Sequence, residues 1–254
     1  MVAKACSRGE KWVIPVAAKY RFGVSTHLFR TDRLSREHLG EIAAFGFETV
    51  ELEAARTHQD FHNPAAVLDL LQWLADARLD LCGLHVPLGA PPEDLEPALF
   101  VARQIPVKTL TLQIARPREA KKRIDRLTEL AEPLGVTITI DSRSEGLSPI
   151  GSLVHFVEGF DARVGIALDF DRARREGDLV EAIEAASEHL TSIRLPVDRL
   201  AAGRIDWPSA LTAVQKVGYE GPVLLEAPTG APKTVLAQAR QARERFEKLL
   251  CTFT

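Results

Sequence analysis

Cysteine is scarce in this chain, three in 254 residues. Cys6, Cys82 and Cys251 stand far apart, odd in number and in no ligand-like pair, which argues against a disulfide framework or a zinc knuckle. A reducing, cytoplasmic setting is the expectation that fits. Strong charge of either sign is missing as well: a net charge of -3 gives no overall basic field to hold nucleic acid by counterion release. No apolar run approaches the roughly 18 to 20 residues needed to cross a bilayer, so no membrane partner is expected. The short apolar run from Trp12 to Ala18, with Lys4, Arg8, Lys11 and Lys19 around it, is too brief and interrupted for a signal peptide. Residues 1–19 therefore read as an N-terminal extension that covers the bottom of the domain after it. Linkers and low-complexity segments are also lacking, which leaves residues 20–254 as one domain.

What the chain does have is a rhythm. From Tyr20 onward, short apolar segments end in a polar residue and give way to helix-patterned stretches, about every 28 residues. The segment ends are Ser25, Glu51, His85, Gln113, Asp141, Asp169, Arg194 and Glu226. The strand stretches are Arg21–Ser25, Thr49–Leu52, Leu79–Leu84, Lys108–Leu112, Val136–Ile140, Val164–Leu168, Leu190–Ile193 and Val223–Leu225. Such alternation indicates βαβ units, and this many of them at this length predicts an α/β fold, a single-domain (β/α)8 TIM barrel. In that architecture the strand ends converge on one rim, where chemistry is built.

Caps and periodicity place the helices. Ser35 can cap a helix with Leu39, Ile42 and Ala43 on one face, ended at Gly46. Asn63 before Pro64 is a start signal, because Pro at the first helical position loses no intrahelical bond. Val67, Leu70, Leu71 and Leu74 then share a face suited to packing on a sheet. Asp206 before Trp207 and Pro208 opens another helix, lined by Leu211, Val214 and Val217 up to Gly218. The last begins near Pro232, with Val235, Leu236, Ala239, Phe246, Leu249 and Leu250 inward.

The last four strands end in Asp141, Asp169, Arg194 and Glu226, neighbours along one arc of the predicted rim. Three carboxylates crowded together raise one another's pKa unless a cation neutralises them. The candidates are a divalent metal, Mg or Mn for an oxygen ligand set, or Arg194 itself.

The stretches Phe22–Thr26 (FGVST), Phe47–Glu51 (FETVE), Val164–Asp169 (VGIALD) and Gly218–Glu226 (GYEGPVLLE) resemble the xylose isomerase-like TIM barrels, which include sugar phosphate isomerases and epimerases and endonuclease IV. The resemblance spans Tyr20 to Thr254. Its most specific pieces are Leu168-Asp169 and the run from Ile205 to Glu226. In the isomerase and epimerase members, Glu, Asp, His and Glu at the ends of strands five to eight hold a divalent metal. By motif position these are Asp141, Asp169, Arg194 and Glu226 here. Asp at 141 keeps the carboxylate, but a guanidinium at 194 offers five donors and no acceptor and cannot ligate a metal. Arg172 likewise stands where the resemblance implies a substrate-binding His, and Arg194-Leu195-Pro196-Val197-Asp198 replaces the pattern HxKD.

Two readings stay open. In one, Asp141, Asp169 and Glu226 hold the metal with waters, Asp141 and Glu226 act as the acid/base pair beside a carbonyl, and His85 or Gln113 helps hold a small carbohydrate-like substrate. In the other, Arg194 replaces the metal's charge and forms bidentate pairs with two carboxylates, and the barrel binds a metabolite without turning it over. Glu51 resembles a rim acid of the family, and Arg172 and Arg194 are substrate-contact candidates with it. His27, His58 and His62 fall on loops, where solvated histidines are the commoner outcome. Arg116, Arg118, Arg172, Arg174, Arg175, Arg199 and Arg204 crowd the rim loops as candidates for an anion or as solvated helix faces. Trp207 reads as a packing residue. A DNA-repair role needs a histidine-rich metal cluster, whereas His85 is the one histidine among the strand ends. Relatives of this kind often pair, so a homo-oligomer is compatible with the resemblance.

Overall fold

The computed structural model describes residues 20–197, 205–226 and 231–252. The extension over residues 1–19, together with Asp198, Arg199 and Arg204 and the side chain of Leu250, lies outside the described residues.

Strands β1 (Arg21–Ser25), β2 (Thr49–Glu53), β3 (Asp80–Val86), β4 (Thr109–Leu112), β5 (Thr137–Asp141), β6 (Gly165–Asp169), β7 (Leu190–Pro196) and β8 (Pro222–Glu226) form a closed parallel barrel, with β8 returning to pair with β1. Helices α1 (Arg36–Ala44), α2 (Pro64–Ala77), α3 (Leu95–Phe100), α4 (Pro117–Ala131), α5 (Ile150–Glu158), α6 (Phe170–Glu176), α7 (Leu179–Ala186), α8 (Trp207–Lys216) and α9 (Pro232–Thr252) connect and surround them.

The strands alternate with period two, as β5 shows in Thr137-Ile138-Thr139-Ile140-Asp141. One row is aliphatic: Val24, Val50, Leu52, Leu84, Leu110, Ile140, Ile166, Leu168, Leu195 and Leu225 are fully buried in the core shared with the helices. Each such side chain contributes about 1.5–3 kcal/mol relative to exposure. The other row turns inward and is mostly polar or small, Leu224 being an apolar member, with Glu51 and Arg194 meeting across the barrel. At Gly165 a Cβ would come within 2.3 Å of Thr191 Cγ2, so this position needs glycine for the strands to approach.

The helix starts match their signals. Asn63 accepts from Ala65 N at 3.0 Å and Asp206 from Ser209 N at 3.3 Å, each satisfying an orphan donor of the first turn. Leu71 corrects the expected inner face of α2: it is 37 % exposed and borders the open N-terminal end of the barrel. Three strands run further than the sequence pattern implies. β2 continues to Glu53, β3 to Val86 and β7 to Pro196, so His85 and Arg194 sit inside the ladder rather than at its edge.

Candidate functional site

Arg194 lies on the barrel axis near the C-terminal mouth, wholly inaccessible to solvent. Its Nη1 donates to Glu51 Oε2 at 2.8 Å and to Glu226 Oε1 at 2.5 Å, and its Nη2 donates to Glu51 Oε1 at 2.6 Å. The bidentate pair is thus with Glu51 alone, and Glu226 takes a single bond. Nε stands 3.6 Å from Asp141 Oδ2 and makes no hydrogen bond. Burial opposes the charge, but Glu51, Glu226 and Asp141 hold the guanidinium well above its ordinary pKa.

A second guanidinium completes the cluster. Arg143 lies in the turn after β5, which is closed by Ser144 N donating to the Asp141 carbonyl at 2.9 Å, and its own backbone N–H donates to Asp141 Oδ1 at 2.8 Å. Its Nε donates to Asp141 Oδ1 at 3.0 Å, its Nη2 to Asp141 Oδ2 at 2.6 Å, and its Nη1 to Glu226 Oε2 at 2.5 Å. Glu226 therefore bridges the two arginines, one on each oxygen. Desolvation works against ionisation of Asp141 and Glu226, yet the neighbouring guanidinium groups push both carboxyls below their usual range. Arg143 keeps 27 % of its side-chain surface in solvent, while Arg194 has none. The sequence pattern did not single out Arg143. Its signal was the i, i+2 relation to Asp141 at a strand end.

On the opposite wall runs a chain of three groups. His27 Nδ1 lies 3.0 Å from Glu53 Oε2, which lies 3.3 Å from His85 Nδ1, and His85 Nε2 is 3.2 Å from Asp141 Oδ2. The last contact is close but poorly aligned for a hydrogen bond. Burial alone lowers the His85 pKa, but Asp141 and Glu53 overcome it and raise it to about 9. His85 is accordingly an imidazolium at neutral pH. The stability this provides is fully present below about pH 6.5, the ordinary value, and is lost as pH rises through about 9. Urea unfolding between pH 6 and pH 10 should show a loss of roughly 3 kcal/mol that is absent in His85→Gln. A flat profile in the wild type counts against a charged His85.

Asp169 ends β6 differently. Its Oδ1 accepts from Arg172 N at 2.7 Å and caps α6, and no guanidinium among the described residues pairs with its carboxylate. Desolvation and the charge of Glu226 raise its pKa to about 6.

The remaining sequence candidates fall into three groups. Arg172 donates to Glu176 and, through Nη1, to the carbonyl of Arg143 at 3.2 Å, fastening the loop that carries Arg143. Arg116 pairs with Glu119, and Arg174 and Arg175 pair with Asp171. Gln113 accepts from Leu88 N at 3.3 Å and lines a separate cleft with Val86, Ile114 and Arg116. His58 is not a solvated loop histidine: it is fully buried between the Asp32 carbonyl at 2.8 Å and Thr26 Oγ1 at 3.1 Å, which shapes the loop after β1. His62 pairs with Asp94 at 2.8 Å. A larger void of about 930 Å³ opens at the opposite end of the barrel, among Arg21, Asp80, Leu81, Ile105, Lys108 and Glu220. It contains none of the converging strand-end groups.

The residues present do not fit a divalent metal. Every carboxylate oxygen of Glu51, Asp141 and Glu226 already accepts a guanidinium N–H, and the β7 position offers no lone pair. Among the described residues, no group of three or more His, Cys, Asp or Glu side chains is arranged to hold a metal ion. Nor is any described helix long and apolar enough to cross a membrane.

The closed eight-stranded parallel barrel is the fold of the xylose isomerase-like TIM barrel proteins. A D-psicose 3-epimerase from Clostridium cellulolyticum H10, solved with D-tagatose, superposes with a TM-score of 0.71 at 16 % identity, over 91 % of this chain and 99 % of that one. A xylose isomerase-like TIM barrel protein from Mycobacterium smegmatis in complex with magnesium gives 0.75 at 13 %, covering 93 % and 98 %. The IOLI protein with a bound zinc atom gives 0.68 at 15 %, covering 92 % and 99 %. At these identities the likeness is one of fold. No protein-family model and no curated protein sequence matches the chain.

Proposed function

We propose that this barrel is a sugar isomerase or epimerase-like protein that acts on a small carbohydrate-like substrate at its C-terminal rim. The observation that carries the reading is the convergence of Asp141, Asp169, Arg194 and Glu226 with Arg143, Glu51 and His85 at one end of a barrel of this fold. Isomerisation and epimerisation beside a carbonyl need a base for the carbon-bound proton and a donor for the developing oxyanion. Asp169 suits the first task better than the expected pair Asp141 and Glu226, whose oxygens are all held by arginines. With a pKa of about 6 it is ionised at neutral pH yet close enough to it to exchange a proton. Arg143 suits the second, since it reaches solvent and commits three of its five N–H groups to Asp141 and Glu226. Glu51 and His85 then act by holding Arg194 and Asp141 in place.

Solvent-deuterium exchange tests this. Ketoses, aldoses and their phosphates incubated with the protein in D2O should, for at least one class, take up deuterium beside the carbonyl, read by NMR. A second reading, a barrel that binds a metabolite without turnover, is favoured by the ion pairs that close around Arg194. Saturable sugar binding with no exchange in any substrate establishes that reading and overturns the first.

A further inference from the structure

The family's position for a dication is filled here by side chains. Two guanidinium groups carry the same two positive charges, and between them they hold two of the implied ligand carboxylates, Asp141 and Glu226, together with Glu51, while neither pairs with Asp169. Arg194 takes Glu51 and one oxygen of Glu226, and Arg143 takes Asp141 and the other oxygen of Glu226. We infer that Arg143 and Arg194 together are a built-in replacement for the metal, so that the rim site works without one and both must go before a metal can enter. This deepens the proposed function and rests on the rim being the working site.

Arg194 alone does not account for the arrangement. Replace it and Asp141 is still held bidentately, while Glu226 still accepts from Arg143 at 2.5 Å. An arriving cation then meets a fixed positive charge beside two of its would-be ligands. The two arginines also differ in their exposure. Arg194 is sealed and serves the electrostatics, whereas Arg143 keeps 27 % of its side chain in solvent and, among the described residues, has one N–H on each terminal nitrogen with no acceptor. A part-exposed guanidinium of this kind can donate to an oxygen of a ligand at the rim.

The test is Mn2+ binding by calorimetry and by electron paramagnetic resonance on the full chain. The wild type and Arg194→His should bind no Mn2+ at millimolar concentration. Arg143→Ala/Arg194→His should gain at least about 10- to 100-fold in affinity, the range by which ligand surroundings tune metal sites. Stoichiometric Mn2+ in the wild type overturns the inference, as does a gain in Arg194→His alone or no gain in the double variant. Should the double variant fail to fold, the melting temperature of the wild type decides. It should be the same in millimolar Mn2+ as in chelator, and an upward shift with Mn2+ overturns the inference. These readouts are independent of turnover, so a failure of the isomerase reading shows only in the deuterium experiment.

Discussion

Arg194→Met should destabilise the protein by about 3–5 kcal/mol in urea unfolding at neutral pH, the cost of stranding a buried partner charge. Glu51 is 1 % exposed, and both of its oxygens accept from Arg194. Removing the cation leaves a carboxylate in the barrel axis with no water to solvate it. Glu226 fares better, because Arg143 still holds its other oxygen. The loss should therefore be concentrated on Glu51, and the double variant Arg194→Met/Glu51→Met should recover most of it, since a buried ion pair replaced by packed apolar groups is often neutral or better. A single-variant loss below about 1 kcal/mol is the size of a solvent-screened surface pair, and it would show that the cluster is open to water.

The barrel was legible because each of its determinants is local. Asn63-Pro64 and Asp206-Trp207-Pro208 announce helix starts through bonds that span two or three residues, and the structure makes those bonds. The strand pattern is local too, down to the alternation in β4 and β5. Leu71 misled because helical periodicity places a residue on a face without saying how far the barrel beneath it extends.

The site was legible in its membership and obscure in its pairing. Convergence of the strand ends follows from topology, so Asp141, Asp169, Arg194 and Glu226 could be placed together from sequence. Which cation takes which carboxylate depends on side chains that meet across the barrel, as Arg194 and Glu51 do over 143 positions. Arg143 and Glu53 were missed because each lies two residues beyond a recognised site acid, Asp141 and Glu51, past the point where the apolar pattern stops: Glu53 continues β2 in the same direction, whereas Arg143 is brought back onto Asp141 by the turn after β5. His58 shows the converse. A loop position suggests solvent, but the donors and acceptors of Thr26 and Asp32 draw the ring into the fold.

Asp169→Asn should abolish solvent-deuterium exchange by about 10²- to 10⁴-fold while making the protein more stable at pH 7 to 8. The two effects have one origin. The carboxyl titrates at about 6 in the fold against 3.8 when unperturbed, so folding opposes its ionisation. The cost is absent below pH 3.8, grows as pH rises toward 6, and is full above it, amounting to roughly 3 kcal/mol by linkage. Asparagine carries no charge and so escapes this cost, and it remains as good a cap for Arg172 N as aspartate, so α6 should stay intact. Urea unfolding of both proteins at pH 4 and pH 8 separates the terms: the variant should gain on the wild type at pH 8 and differ little at pH 4. A variant that loses exchange and stability together has lost a structural carboxylate, and Asp169 would then not be the base. A gain in stability with the loss of exchange marks a group held in an unfavourable state for the sake of its chemistry, the position in which a working base must stand.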